Sequence, residues 1–230
     1  MKIAVMGYGT IGSGVVDVLR INKEKITKRA GEPVDVKYIL DLREFPGDPM
    51  EDAIVHDYQT IVNDPEIGIV VETMGGVEPA YTFVKAMLEA GKQVATSNKN
   101  LVAAKGAELI KIARDHNVNF QFEASVGGGI PIIRPLKQCL AGNHMTEVMG
   151  IVNGTTNFIL TKMTQEGMEF KDALALATEL GYAEADPTAD IEGLDAGRKV
   201  AILASVAFNS RVVFNDVYTE GIAKITSKDI

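Results

Sequence analysis

Asp195 and Lys199 stand four residues apart in the run DIEGLDAGRK, residues 190 to 199. On a helix, that spacing puts both side chains on one face. The chain continues as VAILASVAF, apolar almost throughout, so the pair leads into a segment that a core must cover. Charges in such a place are costly unless they are paired or used. A lysine beside a carboxylate can act as an acid or base towards a reacting oxygen. The plainer expectation is a surface ion pair worth about 0.3–0.5 kcal/mol. Upstream, Glu184 and Asp190 lie in LGYAEADPTAD, where they read as loop and cap residues ahead of a helix.

No other residue type offers an equal case for acid–base work. His56, His116 and His144 fall in unrelated stretches without metal-ligand spacing and read as ordinary histidines. Cys139 is the only cysteine, which excludes an intramolecular disulfide and a cysteine zinc cluster and fits a reducing compartment. It falls inside an expected helix with no evident base, so an acyl-forming aldehyde dehydrogenase is disfavoured.

The elements that must position these groups begin at the first residue. KIAVMG is a short β-rich run, IGSGVVDVLRINKEKI has apolar residues at helical spacing, and GYGTIGSG lies between them. Gly7, Gly9 and Gly12 form GxGxxG, with Thr10 and Ile11 between the second and third. In that motif the first glycine permits the tight turn, the second lets a pyrophosphate approach the backbone, and the third lets the helix pack on the strand. The first amides of the helix then face the phosphate charge.

VDVKYIL, GIVVET, KQVAT and VNFQFE read as further strands, with PAYTFVKAMLEAG and KNLVAAKGAELIKIARDHN as helices between them. The fold class is therefore α/β, a Rossmann-type doubly wound parallel sheet over residues 1–129, followed by an α+β domain over 130–230. Asp41 ends the second strand, where a carboxylate accepts hydrogen bonds from an adenosine ribose and repels a 2′-phosphate. Arg43, two residues on, can turn towards such a phosphate, so NAD and NADP both stay open. Thr73 in ETMGG, and Ser97 and Lys99 in TSNKN, fall at the carboxyl edge of the sheet, where ligand contacts gather. In the second half, IPIIRPLKQCLAGN reads as a helix with Pro131 in its first turn, MTEVMGIVNG as a strand, and TNFILTKMTQEG and KDALALATELG as two helices.

EASVGGGIPII from Glu123, VNGTTNFIL from Val152, LGYAEADPTADIEGLDAGRK and TSNKN together closely resemble homoserine dehydrogenase, in the family's order and across nearly the whole chain. The resemblance implies interconversion of L-homoserine and L-aspartate 4-semialdehyde with NAD or NADP, in the biosynthesis of threonine, methionine and isoleucine. It implies Lys199 as the acid/base, Asp195 as its substrate-binding partner, and Lys99 at the junction of cofactor and substrate. Glu184 then holds the substrate ammonium, Asp190 lies near it, and Gly154, Thr155 and Tyr182 belong to the substrate pocket. Gly181 and Glu184 also adjoin the cofactor. Glu123, with the carbonyls of Val126, Gly128 and Ile130, resembles a structural site for a monovalent cation, sodium by expectation; these oxygen donors suit a hard cation rather than zinc. A homodimer through the second domain is implied, with MTEVMGIV as an edge or face.

A net charge of -8 argues against nucleic acid as the main partner, and 46% hydrophobic residues suffice for a core. No signal peptide or membrane-spanning run is visible, which predicts a cytoplasmic protein with no membrane partner. The family continues beyond TEGIAKITSKDI with a segment that completes the first domain, so the sequence reads as a shortened chain, and TSKD as the cap of a helix that does not continue. Two other readings stand beside the leading one: a two-domain oxidoreductase acting on a different small carbonyl compound, and a catalytically silent dinucleotide-binding or assembly module.

Overall fold

A computed structural model describes residues 1–226 and 228–230. The chain divides into two compact units, Met1–Pro131 and Ile132–Ile230. Among the described residues no helix is long and apolar enough to cross a membrane.

The first unit is built on a six-stranded parallel sheet in the order β3-β2-β1-β4-β5-β6. Its strands are β1 (Lys2–Met6), β2 (Asp35–Leu40), β3 (Ile54–Val55), β4 (Ile67–Glu72), β5 (Gln93–Thr96) and β6 (Phe120–Gln121). The helices are α1 (Thr10–Ile21), α2 (Lys23–Ala30), α3 (Tyr58–Asn63), α4 (Ala80–Glu89) and α5 (Lys99–Asp115). Ile3 to Met6 of β1 are buried, as a central parallel strand requires. The order reverses between β1 and β4, whose carboxyl ends lie side by side with Met6 opposite Glu72. At such a switch point the loops diverge and leave a crevice for a ligand.

The structure refines several expectations. The single helix read over residues 11–26 breaks at Asn22, whose side-chain amide donates to the Val18 carbonyl and ends α1. Both β3 and α3 were missed, being only two and six residues long, too short for periodicity to register.

In the second unit, α6 (Gly154–Glu166) packs on α7 (Phe170–Glu179) around Ile159, Met163, Ala173, Ala177 and Ala183. The short α8 (Thr188–Ile191) then leads into α9 (Leu194–Ala207). Two glycines of GLDAGRK admit a close approach of the later chain: a Cβ at Gly193 would lie 2.8 Å from the Glu220 carbonyl oxygen, and one at Gly197 2.7 Å from the Phe214 ring.

The helix read over 130–143 shortens to a wide helical turn, Pro135–Cys139, closed by the Leu140 N–H on the Pro135 carbonyl at 3.0 Å. Pro131 and Pro135 bring no N–H to a regular helical ladder. The strand read over Met145–Gly154 does not form: residues 145–153 are irregular, and α6 already begins at Gly154. A strand exists only by pairing, and among the described residues the second unit contains no strand to pair with. Among the described residues that half is made of helices with irregular connections.

Candidate active site

The glycine loop in the first unit is shaped by contacts that leave little choice of residue. Gly7 has φ +93, a left-handed conformation that favours glycine. A Cβ at Gly12 would lie 1.9 Å from the Gly7 carbonyl oxygen, so no side chain fits where α1 crosses the loop. Gly9 differs: a Cβ there would meet no protein atom within 4 Å. Packing of the chain itself therefore does not demand glycine at this position, whereas close approach of a pyrophosphate would. Gly9 also precedes α1 without a side-chain cap, so the first amides of the helix are not taken by one, and Thr10 and Ile11 beside them are exposed.

Tyr8, between the first two glycines, is the anchor that the sequence reading missed. Its ring is buried against Phe45 with centroids 5.0 Å apart, and its hydroxyl donates to Asp48 at 3.1 Å. Its N–H donates to Asp41 Oδ2 at 2.8 Å, fixing the loop to the end of β2. Asp41 also accepts from the Arg43 side chain at 3.0 Å through each carboxylate oxygen, and the Arg43 guanidinium beside it holds its carboxyl well below the usual carboxylate range. His56 places Nδ1 2.7 Å from the Asp41 carbonyl and Nε2 3.0 Å from Glu44; the hydrogen bond to Asp41 raises its pKa.

At the carboxyl ends of β4 and β5, the Thr73 hydroxyl donates to the carbonyls of Met6 and Gly7, joining the glycine loop to the neighbouring strand. The Ser97 N–H donates to the Glu72 carbonyl at 3.2 Å, and Lys99 opens α5 behind the capping residue Asn98. Thr73, Ser97 and Lys99 are all half-buried. Further along, Glu123, Val126, Gly128 and Ile130 share one tightly turned segment, in which Ile130 N–H donates to the Gly127 carbonyl at 3.0 Å and Val126 is buried. Among the described residues no group of three or more His, Cys, Asp or Glu could hold a metal ion, so a cation at this segment would depend on backbone carbonyls.

In the second unit the charged candidates converge. Lys199 Nζ lies 2.6 Å from Asp195 Oδ2 and donates to the Val152 carbonyl at 2.6 Å. The Asp195 side chain is 3% exposed and that of Lys199 16%, which excludes an ordinary surface pair. Asn153, also missed from sequence, links the cluster: its side-chain nitrogen donates to Asp190 Oδ1 at 2.7 Å and to Asp195 Oδ2 at 3.0 Å. Its oxygen caps α6 by accepting from Thr156 N–H at 2.8 Å. An asparagine ahead of GTTNF was a visible cap signal; its two carboxylate partners, 37 and 42 residues away, were not.

Thr155 Oγ1 donates to the Tyr182 carbonyl at 2.8 Å, and the Tyr182 ring stacks on Phe158 at 4.4 Å. Gly154 starts α6 and is exposed, as are Gly181, at φ +77, and Glu184 on the loop after α7. The structure thus joins Asp190, Asp195 and Lys199 through Asn153, and Thr155 to Tyr182, while Glu184 stands at the surface.

Residues 7–123 match the family model described as homoserine dehydrogenase, NAD binding domain, and residues 131–230 match the model described as homoserine dehydrogenase. The chain belongs to the homoserine dehydrogenase family. It is 42% identical to the homoserine dehydrogenase of Bacillus subtilis over 233 residues, covering 100% of this chain and 54% of the relative. A crystal structure of a homoserine dehydrogenase from Thiobacillus denitrificans superposes with a TM-score of 0.92 at 44% identity, covering 100% of this chain and 54% of that one. A hyperthermophilic archaeal homoserine dehydrogenase mutant, solved in complex with NADPH, superposes with a TM-score of 0.83 at 28% identity, covering 99% of this chain and 76% of that one. The chain spans about half the length of the curated homoserine dehydrogenases it matches.

Proposed function

We propose that this chain carries the dinucleotide-binding and substrate-binding parts of a homoserine dehydrogenase and interconverts L-homoserine and L-aspartate 4-semialdehyde. The observation that carries the reading is the Lys199–Asp195 pair, 2.6 Å apart and largely out of water, at the head of α9. Lys199 gives a proton to the aldehyde oxygen as hydride reaches the carbon, and takes the hydroxyl proton in the reverse direction. Asp195 holds the ammonium in place, and Asn153 fixes Asp195 in turn. Asp190, joined to Asp195 through Asn153, offers a carboxylate to receive the substrate's ammonium; Glu184, exposed nearby in sequence, is assigned to the same group. Gly154, Thr155 and Tyr182 enclose the substrate chain.

A nicotinamide dinucleotide supplies the hydride acceptor or donor. Gly7, Gly9, Thr10, Ile11 and Gly12 would hold its pyrophosphate, Asp41 its adenosine ribose, and Thr73, Ser97 and Lys99 its nicotinamide half, with Gly181 and Glu184 as further contacts. The bare approach at Gly9 supports this fit. The Glu123 segment, with the carbonyls of Val126, Gly128 and Ile130, is assigned to a structural monovalent cation, sodium by preference, on its oxygen donors alone. A homodimer is assigned to the second unit, where Met149 and Ile151 are 84% and 79% exposed on the irregular segment before α6.

The test is consumption of NADH or NADPH with aspartate 4-semialdehyde, measured on the chain and on Lys199→Ala. The expected result is turnover that falls at least about 100-fold in the variant while dinucleotide affinity stays within about twofold. Unchanged turnover in Lys199→Ala overturns the assigned role.

A further inference from the structure

Glu72 is a fully buried carboxylate at the end of β4. Its Oε1 accepts from the Met74 N–H at 2.8 Å and from the Asn98 side-chain nitrogen at 3.4 Å, while Oε2 accepts a very short hydrogen bond from the Thr96 hydroxyl. Thr96 Oγ1 accepts in turn from the Asn98 N–H at 2.9 Å. The Asn98 side-chain nitrogen donates at 2.7 Å to the Gly76 carbonyl, and its oxygen caps α5 by accepting from Leu101 N–H at 3.1 Å. One carboxylate therefore ties the 72–76 loop to the first turn of α5, and among the described residues no cation pairs with it. Burying such a group is expensive unless donors satisfy it, and here three donors from two segments converge on its two oxygens.

We propose that Glu72 is a positioning residue of the dinucleotide site: its carboxylate clasps the loop after β4 to the start of α5 and so presents Thr73, Ser97 and Lys99 as one preformed group. Thr73 follows Glu72 directly, the Ser97 N–H is held on the Glu72 carbonyl, and Lys99 follows the Asn98 that the carboxylate orients. Preforming these contacts lowers the ordering cost of binding, so the clasp is felt in dinucleotide affinity.

The inference rests on reading this edge as the dinucleotide site, and the test separates the two. NADH and NADPH affinities are measured by calorimetry, with amide hydrogen exchange of residues 73–76 and 98–101, on the unaltered chain, Glu72→Ala, Glu72→Gln and Asn98→Asp. Gln keeps an acceptor for Met74 and a donor for Thr96, so affinity stays within about threefold and exchange protection persists. Glu72→Ala loses about tenfold or more in affinity, together with protection of both segments. Asn98→Asp keeps the cap of α5 but sets a second carboxylate against Glu72 and removes the donor to Gly76, so it shows the same loss even if the alanine variant fails to fold. Wild-type affinity in both Asn98→Asp and a folded Glu72→Ala overturns the proposal. Equal loss in the glutamine variant also overturns it. If the unaltered chain binds neither dinucleotide, the reading of the site falls and the clasp's role in binding falls with it.

Discussion

Asp41 and Arg43 are joined through both carboxylate oxygens, with Arg43 Nε 3.0 Å from Oδ1 and Nη2 3.0 Å from Oδ2. The carboxylate that would accept the adenosine ribose is thus already neutralised, by a guanidinium whose side chain is 61% exposed. A ribose diol must displace Arg43 from Asp41, whereas a 2′-phosphate can draw the guanidinium to itself. Arg43→Ala is expected to weaken NADPH binding by about tenfold or more, the scale of one charge-assisted hydrogen bond, and to leave NADH binding unchanged or tighter. Fluorescence titration with both cofactors measures the ratio; an equal loss for both would remove Arg43 from discrimination.

Gly9 and Gly12 make opposite predictions although they belong to one motif. Gly12→Ala drives a methyl to 1.9 Å from the Gly7 carbonyl, so the loop and α1 must separate and stability should fall by about 1–3 kcal/mol. Gly9→Ala meets no protein atom and sits at φ -86, which alanine adopts freely. Its stability should be unchanged or raised by about 0.4–1 kcal/mol through the unfolded state, while dinucleotide affinity drops. Thermal unfolding and calorimetry on the two variants check the contrast; Gly9→Ala binding as the wild type does would take Gly9 out of the site.

What could be read in advance follows the range of the interactions. The turn from β1 into α1 is legible because Gly7 is required by its own backbone conformation and Gly12 by its approach to Gly7, five residues away, and the i, i+4 spacing of Asp195 and Lys199 because a helix is local. The parallel sheet follows from the alternation of short apolar runs with amphipathic helices. Met145–Gly154 has the composition of a strand, but pairing is a non-local property and no partner is present among the described residues. Asn153, Tyr8 and Glu72 escaped for the same reason. Each looks locally like a cap, a loop aromatic or a strand end, and acquires its role from partners 24 to 42 residues distant.

Asn153 separates capping from site geometry. Asn153→Asp keeps the acceptor that caps α6 but sets a third carboxylate against Asp190 and Asp195. Asn153→Ala loses the cap, worth about 0.5–2 kcal/mol, and leaves the two carboxylates without their shared donor. Both variants should lower kcat by about tenfold or more, and urea denaturation should show a loss in the alanine variant of at least the cap's worth. A normal kcat in both would mean that Asn153 does not position Asp195 for the reaction.

Glu72 gives the protein a stability term of unusual sign. Burial raises the pKa of its carboxyl against the pull of Thr96, Asn98 and Met74, none of which titrates. A carboxyl whose folded pKa exceeds its unfolded value of about 4.3 holds more protons folded than unfolded between the two, so stability falls as pH rises through that window and stays lowered above it. Asp64, whose pKa the Lys37 ammonium lowers to about 2, and Asp41, lowered by Arg43, act the other way: their contribution is full above about pH 4 and is lost on acidification. Glu72→Gln removes only the first of these slopes. The stability of Glu72→Gln relative to wild type, from urea unfolding at a series of pH values between about 4 and 8, should therefore rise with pH and then level. A difference that does not change with pH would mean that Glu72 titrates alike folded and unfolded, and the burial cost assigned to it would have to be withdrawn.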